Sequence, residues 1–491
     1  MRVSVPARRW AIRSATAATV VLAAAAGLPY AATAVAATGT ARPSASLAAR
    51  MFSTADPYSP AYHHPWRQGV IPTIGQLARM RRWAASHPGA APAAARRSSS
   101  TLLAFGGGIN GIGVTTGPEK VYLVFYGSQW GTQSTNAQGD VTLSGDPSNI
   151  APYLQQLLKG IGTGGETWSG VMTQYCQGVA TGATSCPASN TYHVAYPTGG
   201  ALAGVWVDES TASPSNATAA QLGAEAVTAA GHFGNTTAAS NRDAQYVVIS
   251  PTGTHPDGFN TPNGNFCAWH DWNGDSSVGV TSPYGDIAFT NLPYIPNMGT
   301  SCGQNFVNSG SAGLLDGVSI VEGHEYAETI TDQNPAGGWT TSSGYETGDL
   351  CAWNSGPGAV AANLTLTTGT FAMQPTWAND GGGTCEFSHP IVTNGSGGGG
   401  GGGDVVTVTN PGNQTTVKGT AVRLQIQATD SATGQTLHYA ASGLPSGLSI
   451  NSATGLISGT PTRKQSVTVK ITVTDGTGAS GTASFTWKIL R

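Results

Sequence analysis

His324, Glu325 and Glu328 fall in the segment Gly323-His324-Glu325-Tyr326-Ala327-Glu328-Thr329-Ile330-Thr331-Asp332. On a helix, positions four apart share a face, so His324 and Glu328 can reach one cation while Glu325 flanks it as a candidate base. A second acidic segment, Gly344-Tyr345-Glu346-Thr347-Gly348-Asp349-Leu350-Cys351, follows closely. Glu346 is the first choice for a third ligand. Asp349 joins the set as hydrogen-bond partner of His324, since a metal-bound imidazole usually donates its other N–H to an acceptor. Asp332, His270 and Asp271 stand in reserve, and His270, beside Trp269 and near Cys267, reads first as a packed core residue.

The helix that must carry this set is legible just upstream. At about 100° per residue, Leu314, Gly317, Ile320 and Val321 form one stripe that continues into His324, Ala327, Glu328 and Thr331. The ionisable groups thus occupy positions where core residues would lie. A buried carboxylate needs a cation, a proton or a dense set of hydrogen bonds. The competing reading puts Glu325 and Glu328 on a solvated face and bonds His324 locally.

One histidine with two carboxylates gives a divalent ion a formally neutral shell and leaves a position open for water, as in catalytic zinc sites. Glu325 could take a proton from that water and pass it to a leaving amine. A histidine ligand argues against calcium at this position. The motif is similar to the H-E-x-x-H of zinc hydrolases, with glutamate for the second histidine. That resemblance implies a zincin-like α+β or α/β domain.

Composition narrows the setting. Only 10% of the 491 residues are charged and the net charge is -3, so neither a nucleic-acid-binding patch nor an acidic tail is expected. Arg2, Arg8, Arg9 and Arg13 precede an apolar run from Ala15 to Leu28, and Ala34-Val35-Ala36 supplies the small residues of a cleavage site. Residues 1–36 therefore read as a signal peptide, and the run is too short and alanine-rich for a permanent membrane span. Cys176, Cys186, Cys267, Cys302, Cys351 and Cys385 suit an oxidising compartment. Nearest-neighbour pairing closes three loops, and no C-x-x-C spacing favours a zinc–cysteine site.

Punctuation divides the rest. Residues 37–105 read as a propeptide-like segment or flexible arm, with an amphipathic stretch from Ile74 to Ala85 and Arg96-Arg97 as a processing point. Residues 106–392 form the expected α/β metallohydrolase domain. Strands are expected at Lys120 to Tyr126 and Gln245 to Ser250, and helices at Ser148 to Ile161 and Ala217 to Gly231. Residues 393–403, ending in seven glycines, read as a linker. Residues 404–491 read as an all-β sandwich, with strands near Val405 to Thr409, Ala421 to Ala428, Leu437 to Ala441, Gly455 to Gly459, Ser466 to Thr474 and Gly481 to Lys488.

Within that last region, Gly443-Leu444-Pro445-Ser446-Gly447-Leu448-Ser449-Ile450-Asn451 and Thr454-Gly455-Leu456-Ile457-Ser458-Gly459-Thr460-Pro461 resemble the immunoglobulin-like module of bacterial surface and secreted proteins. The cadherin-like character this implies makes Asp430 and Asp475 candidate calcium ligands, although both also suit the turns in which they sit. Farther upstream, Val121-Tyr122-Leu123-Val124-Phe125-Tyr126-Gly127, Trp168-Ser169-Gly170-Val171-Met172, Cys267-Ala268-Trp269-His270, Leu292-Pro293-Tyr294-Ile295 and the segment from Gly323 to Asp332 resemble, in that order, blocks of the phosphate-induced, EXORDIUM-like secreted proteins of plants and their bacterial relatives. The resemblance spans roughly residues 106 to 390. The plant members have an apolar, Ala- and Asn-rich helix where this chain has His-Glu-x-x-Glu, so their role in cell-wall growth signalling does not transfer.

The expectation is a secreted metal-dependent hydrolase, a zinc peptidase acting on extracellular protein or peptide, monomeric and without nucleic-acid partners. The alternative is a non-catalytic cell-wall polymer or glycan binder using Trp130, Trp168, Trp206, Trp339 and Trp377 as stacking platforms. Serine chemistry is disfavoured, because no G-x-S-x-G elbow occurs.

Overall fold

Lys120–Tyr126 is apolar at almost every position because both faces of its strand are covered. Val121, Leu123 and Phe125 pack into one core, and Tyr122 and Val124 into another on the opposite side. In the computed structural model, which describes residues 56–87, 102–187, 190, 192–354, 358–393, 406–430, 436–474 and 480–491, this strand is part of a six-stranded mixed sheet.

The strands are β1 (Gln68–Pro72), β2 (Lys120–Tyr126), β3 (Leu202–Asp208), β4 (Ala244–Ile249), β5 (Phe266–Trp272) and β6 (Ala288–Leu292). Their order is β1-β5-β6-β4-β2-β3. β6, β4, β2 and β3 run parallel to one another, β5 is antiparallel to β6, and β1 is antiparallel to β5 at the edge.

Four helices matter here: α1 (Ile74–Ser86), α2 (Ile150–Gly160), α3 (Ala219–His232) and α4 (Asp316–Thr331). Leu154 and Leu158 of α2 and Ile320 and Val321 of α4 share the core of Leu123, whereas Leu222 and Ala226 of α3 share that of Val124. α3 begins where Thr218 and Gln221 cap each other's backbone N–H groups. α4 is buried at all 16 positions, so the solvated face considered for Glu325 and Glu328 does not exist. Leu314, placed on the core stripe from sequence, precedes the helix and is half exposed.

In the stretch 37–105, read as a propeptide-like segment or flexible arm, the described residues include β1 and α1, and Ile71 is fully buried in the main core. The sequence hid β1 because its five residues include a glycine and a proline. The signal peptide, Arg96-Arg97, the glycine run 397–403 and Asp475 lie outside the described residues.

Three disulfides join nearest neighbours: Cys176–Cys186, Cys267–Cys302 and Cys351–Cys385. Cys267 anchors β5, while Cys351 ties down the segment that carries Glu346 and Asp349. Among the described residues no helix is long and apolar enough to cross a membrane.

The C-terminal residues form an immunoglobulin-like β-sandwich. One sheet orders Gln414–Val417, Ser480–Leu490, Gln465–Thr474 and His438–Ser442, and another orders Val422–Gln425, Leu456–Gly459 and Leu448–Ile450. Alternate residues Val469, Ile471, Val473, Phe485, Trp487 and Ile489 fill the core. The polar strand Gln414–Val417 and the short Leu448–Ile450, embedded in a Gly- and Pro-rich phrase, escaped the sequence pattern.

Candidate metal centre

α4 sets His324 and Glu328 one turn apart, with Nε2 of His324 3.1 Å from Oε2 of Glu328. β5 contributes His270, whose Nε2 lies 3.8 Å from the same Glu328 oxygen and 3.1 Å from Oε2 of Glu346. Asp349 completes the group, its Oδ1 3.9 Å from Nε2 of His324. Two sets of mutually close ligand atoms result, His270–Glu328–Glu346 and His324–Glu328–Asp349, and Glu328 belongs to both. Ligand atoms around one tetrahedral zinc lie about 3.3–3.5 Å apart, close to the 3.1–3.9 Å separations found within each set.

The hydrogen-bond pattern fixes which atoms are free to bind. The Gln374 amide nitrogen donates to the carbonyl of Gly348 (3.0 Å), which turns its oxygen to Nδ1 of His324 at 3.3 Å. In the tautomer that donates from Nδ1 to this oxygen, Nε2 presents a lone pair. That lone pair faces the Gly69 carbonyl at 3.2 Å and Oε2 of Glu328, both acceptors. Three acceptors converging without a donor repel one another unless a cation or a proton lies among them. Glu328 is held by its other oxygen, Oε1, which accepts from the backbone N–H groups of Gly348 (3.0 Å) and Asp349 (2.7 Å), while its Oε2 has no donor. His270 lacks a partner on Nδ1, which leaves it two roles: a ligand through Nε2, or an Nε2–H donor to Glu346.

Electrostatics agree. Burial pushes the carboxyl groups of Glu325, Glu328, Glu346 and Asp349 well above the usual range, and for Glu328 the two backbone N–H groups only partly offset it. Burial also lowers both imidazoles, His270 to about 3 with help from neighbouring His324. Among the described residues the only basic groups within 4.0 Å of these carboxylates are the two imidazoles. Both carboxylate oxygens of Glu325 are buried without a hydrogen bond, as are those of Glu322 one turn earlier on the helix.

The residues singled out in sequence thus separate. His324, Glu328, Glu346 and Asp349 converge, and Glu325 is their buried neighbour. Asp349 does not accept from the outer nitrogen of His324; Gln374 holds that position. Asp332 accepts from the backbone N–H of Ala336 (2.8 Å) and Gly338 and shapes a turn, and Asp271 accepts from Trp272 N–H (2.8 Å) outside the cluster. His270, read first as core, enters the cluster. Gln374 carried no sequence signal, since an isolated amide 50 residues downstream has no periodic relation to the helix. Of the tryptophans considered as sugar platforms, Trp130, Trp168 and Trp339 are fully buried core residues. Trp206 and Trp377 are partly buried.

Residues 405–490 match the family model described as "Putative Ig domain". Among solved structures, a "putative alpha-galactosidase" from Bacteroides fragilis is 23% identical over 18% of this chain and 18% of its own, with a TM-score of 0.16. Protocadherin Gamma B2 extracellular cadherin domains 1–5 are 18% identical over 25% of this chain and 22% of that one (TM-score 0.16). The PKD domain of human KIAA0319 is 16% identical, covering 20% of this chain and 92% of that one (TM-score 0.14). The chain thus spans under a quarter of the galactosidase and the protocadherin, and no functional argument rests on these matches. None of the curated proteins compared with the chain matches it.

Proposed function

We propose that the chain is an exported metal-dependent hydrolase whose centre holds a zinc-type divalent ion. Its candidate ligands are His324, Glu328 and Asp349 on one side and His270, Glu328 and Glu346 on the other, with Glu328 common to both sets. The observation that carries this reading is the convergence of the His324 Nε2 lone pair, the donor-free Oε2 of Glu328 and the Gly69 carbonyl in a fully buried space. An ion there would keep the carboxylates charged despite burial and would lower the pKa of a bound water. With such an ion supplying an acidic water, Glu325 would be the group to accept its proton and pass it to the leaving amine as the hydroxyl joins the carbonyl carbon and the C–N bond breaks. A soft imidazole donor favours zinc over calcium. Three disulfides and the immunoglobulin-like sandwich support an extracellular setting. The sandwich is suited to attachment at a wall polymer or surface protein, and calcium at Asp430 and Asp475 remains part of that proposal. The test is elemental analysis of chain purified without chelator, together with cleavage of a fluorogenic peptide library. One equivalent of divalent ion and chelator-sensitive cleavage are expected, and a metal-free chain would sink the reading.

A further inference from the structure

β5 does two things at once: it supplies His270 to the metal cluster and it offers its outer edge to β1. The pairing places Gln68 opposite His270, Ile71 opposite Ala268 and Pro72 opposite Phe266, and the register shifts between Gln68 and Ile71 and again between Ile71 and Pro72. The first shift falls at Gly69-Val70. There the backbone takes the left-handed conformation (φ 47°), and the Gly69 carbonyl lies 3.2 Å from Nε2 of His324. A Cβ on Gly69 would collide with Oε2 of Glu328 and the ring of His270, so only glycine fits so close. A β-bulge of this kind re-aims backbone that would otherwise stay in the ladder.

A peptide paired to the outer edge of β5 in the register of β1, with glycine at the position of Gly69, passes the cluster with a carbonyl beside it. Strand addition at a free sheet edge is a general mode of peptide recognition. Here β1 occupies that edge. The neighbouring cavity, lined by Asp56, Arg67, Gly69, Tyr345 and Asp349 among others, is about 60 Å³, too small for a peptide residue to reach the cluster.

Both ends of β1 are fastened. Before it, the Trp66 indole N–H (3.0 Å) and Arg67 Nε (2.7 Å) donate to Oδ2 of Asp257, and the Arg67 guanidinium stacks over Phe266 at 4.5 Å. At its end, the Trp353 indole N–H donates to the Pro72 carbonyl (2.7 Å). None of the three disulfides ties residues 56–87 to the rest of the chain.

We propose that the outer edge of β5 is the track on which an extended peptide crosses the metal centre, and that Gln68–Pro72 is the chain's own occupant of that track, so that the centre is closed until this segment leaves. The inference rests on the hydrolase reading and names its substrate geometry and its control.

The experiment uses the full chain carrying a site-specific protease sequence between His87 and Leu102, loaded with zinc and compared before and after cutting. A second form, uncut Arg67→Ala, loosens the fastening without a break. Two rates are read: zinc removal by chelator and cleavage of a quenched peptide library. Cutting followed by separation of the released segment raises both about tenfold or more, and Arg67→Ala raises zinc removal in the same direction. A synthetic peptide of residues 64–74 slows zinc removal from the cut protein, and its Gly69→Ala version does not. Equal zinc-removal rates in all forms overturn the inference and leave the hydrolase reading standing. A chain that takes up no divalent ion removes both, and zinc retention without cleavage in any form removes the hydrolase reading while the removal rates still decide on the closed edge.

Discussion

The carbonyl oxygen of Gly69 lies 3.2 Å from Nε2 of His324, across 255 residues of sequence. The contact joins an edge strand near the start of the described chain to the helix that carries the candidate metal ligands. It brings a buried backbone carbonyl beside His324 and Glu328, both of them buried as well.

Glu325→Gln should keep the ion and lose turnover, whereas His324→Ala or Glu328→Ala should lose the ion. A ligand binds the metal, but a base touches only the water on it. Loss of the base lowers the rate about 100- to 10,000-fold. Metal stoichiometry and peptide cleavage, measured side by side, check this; unchanged turnover in Glu325→Gln removes it from the proton path.

Gln374→Leu should weaken zinc binding about 10- to 100-fold, because the outer nitrogen of His324 loses the acceptor that fixes its tautomer. Gln374→Glu retains that acceptor and should bind more tightly than the leucine variant. Competition with a chromogenic chelator gives both affinities. Equal affinity in wild type and Gln374→Leu would show that the amide only packs.

Glu225 gives a pH signature away from the metal. Burial, with Asp208 beside it, raises its carboxyl to about 8 in the folded chain, against an ordinary value near 4.5. The folded state therefore holds a proton that the unfolded state releases between those values. The stabilisation is fully present below about 4.5 and is lost as pH rises through about 8, each tenfold change in proton affinity amounting to about 1.4 kcal/mol. Thermal unfolding of wild type should fall more steeply between pH 6 and pH 9 than that of Glu225→Gln, and parallel curves would assign the loss to other groups.

The purified protein should contain no free thiol among its six cysteines. The Cys267–Cys302 loop spans 35 residues, so removing it as a double serine variant should cost about 4 kcal/mol. Denaturant titration measures the loss. Since Cys267 sits on β5, the variant should also bind zinc less tightly, and undiminished affinity would separate the bridge from the site.

Much of the local structure was written in the sequence. Lys120–Tyr126 is a strand as its residues require, Ile150–Gly160 and Ala219–His232 are helices within two residues of expectation, and each cysteine pairs with its neighbour. His324 and Glu328 share a face because a helix turns about every 3.6 residues, a property of the local backbone alone. The immunoglobulin-like sandwich was legible through alternation and turn phrases in the same way.

Only the tertiary structure decided the rest. Nothing local could reveal that α4 is buried all round, that His270 arrives from β5 to meet Glu346, or that Gln374 aims its oxygen at His324. β1 is the clearest case. Its Gly-Val-Ile-Pro core is a weak strand alone and becomes one because β5 offers an open edge and the main core receives Ile71. Periodicity encodes the face a side chain presents. Which partner meets that face is set by long-range packing, where burial and hydrogen-bond satisfaction are settled over the whole domain at once.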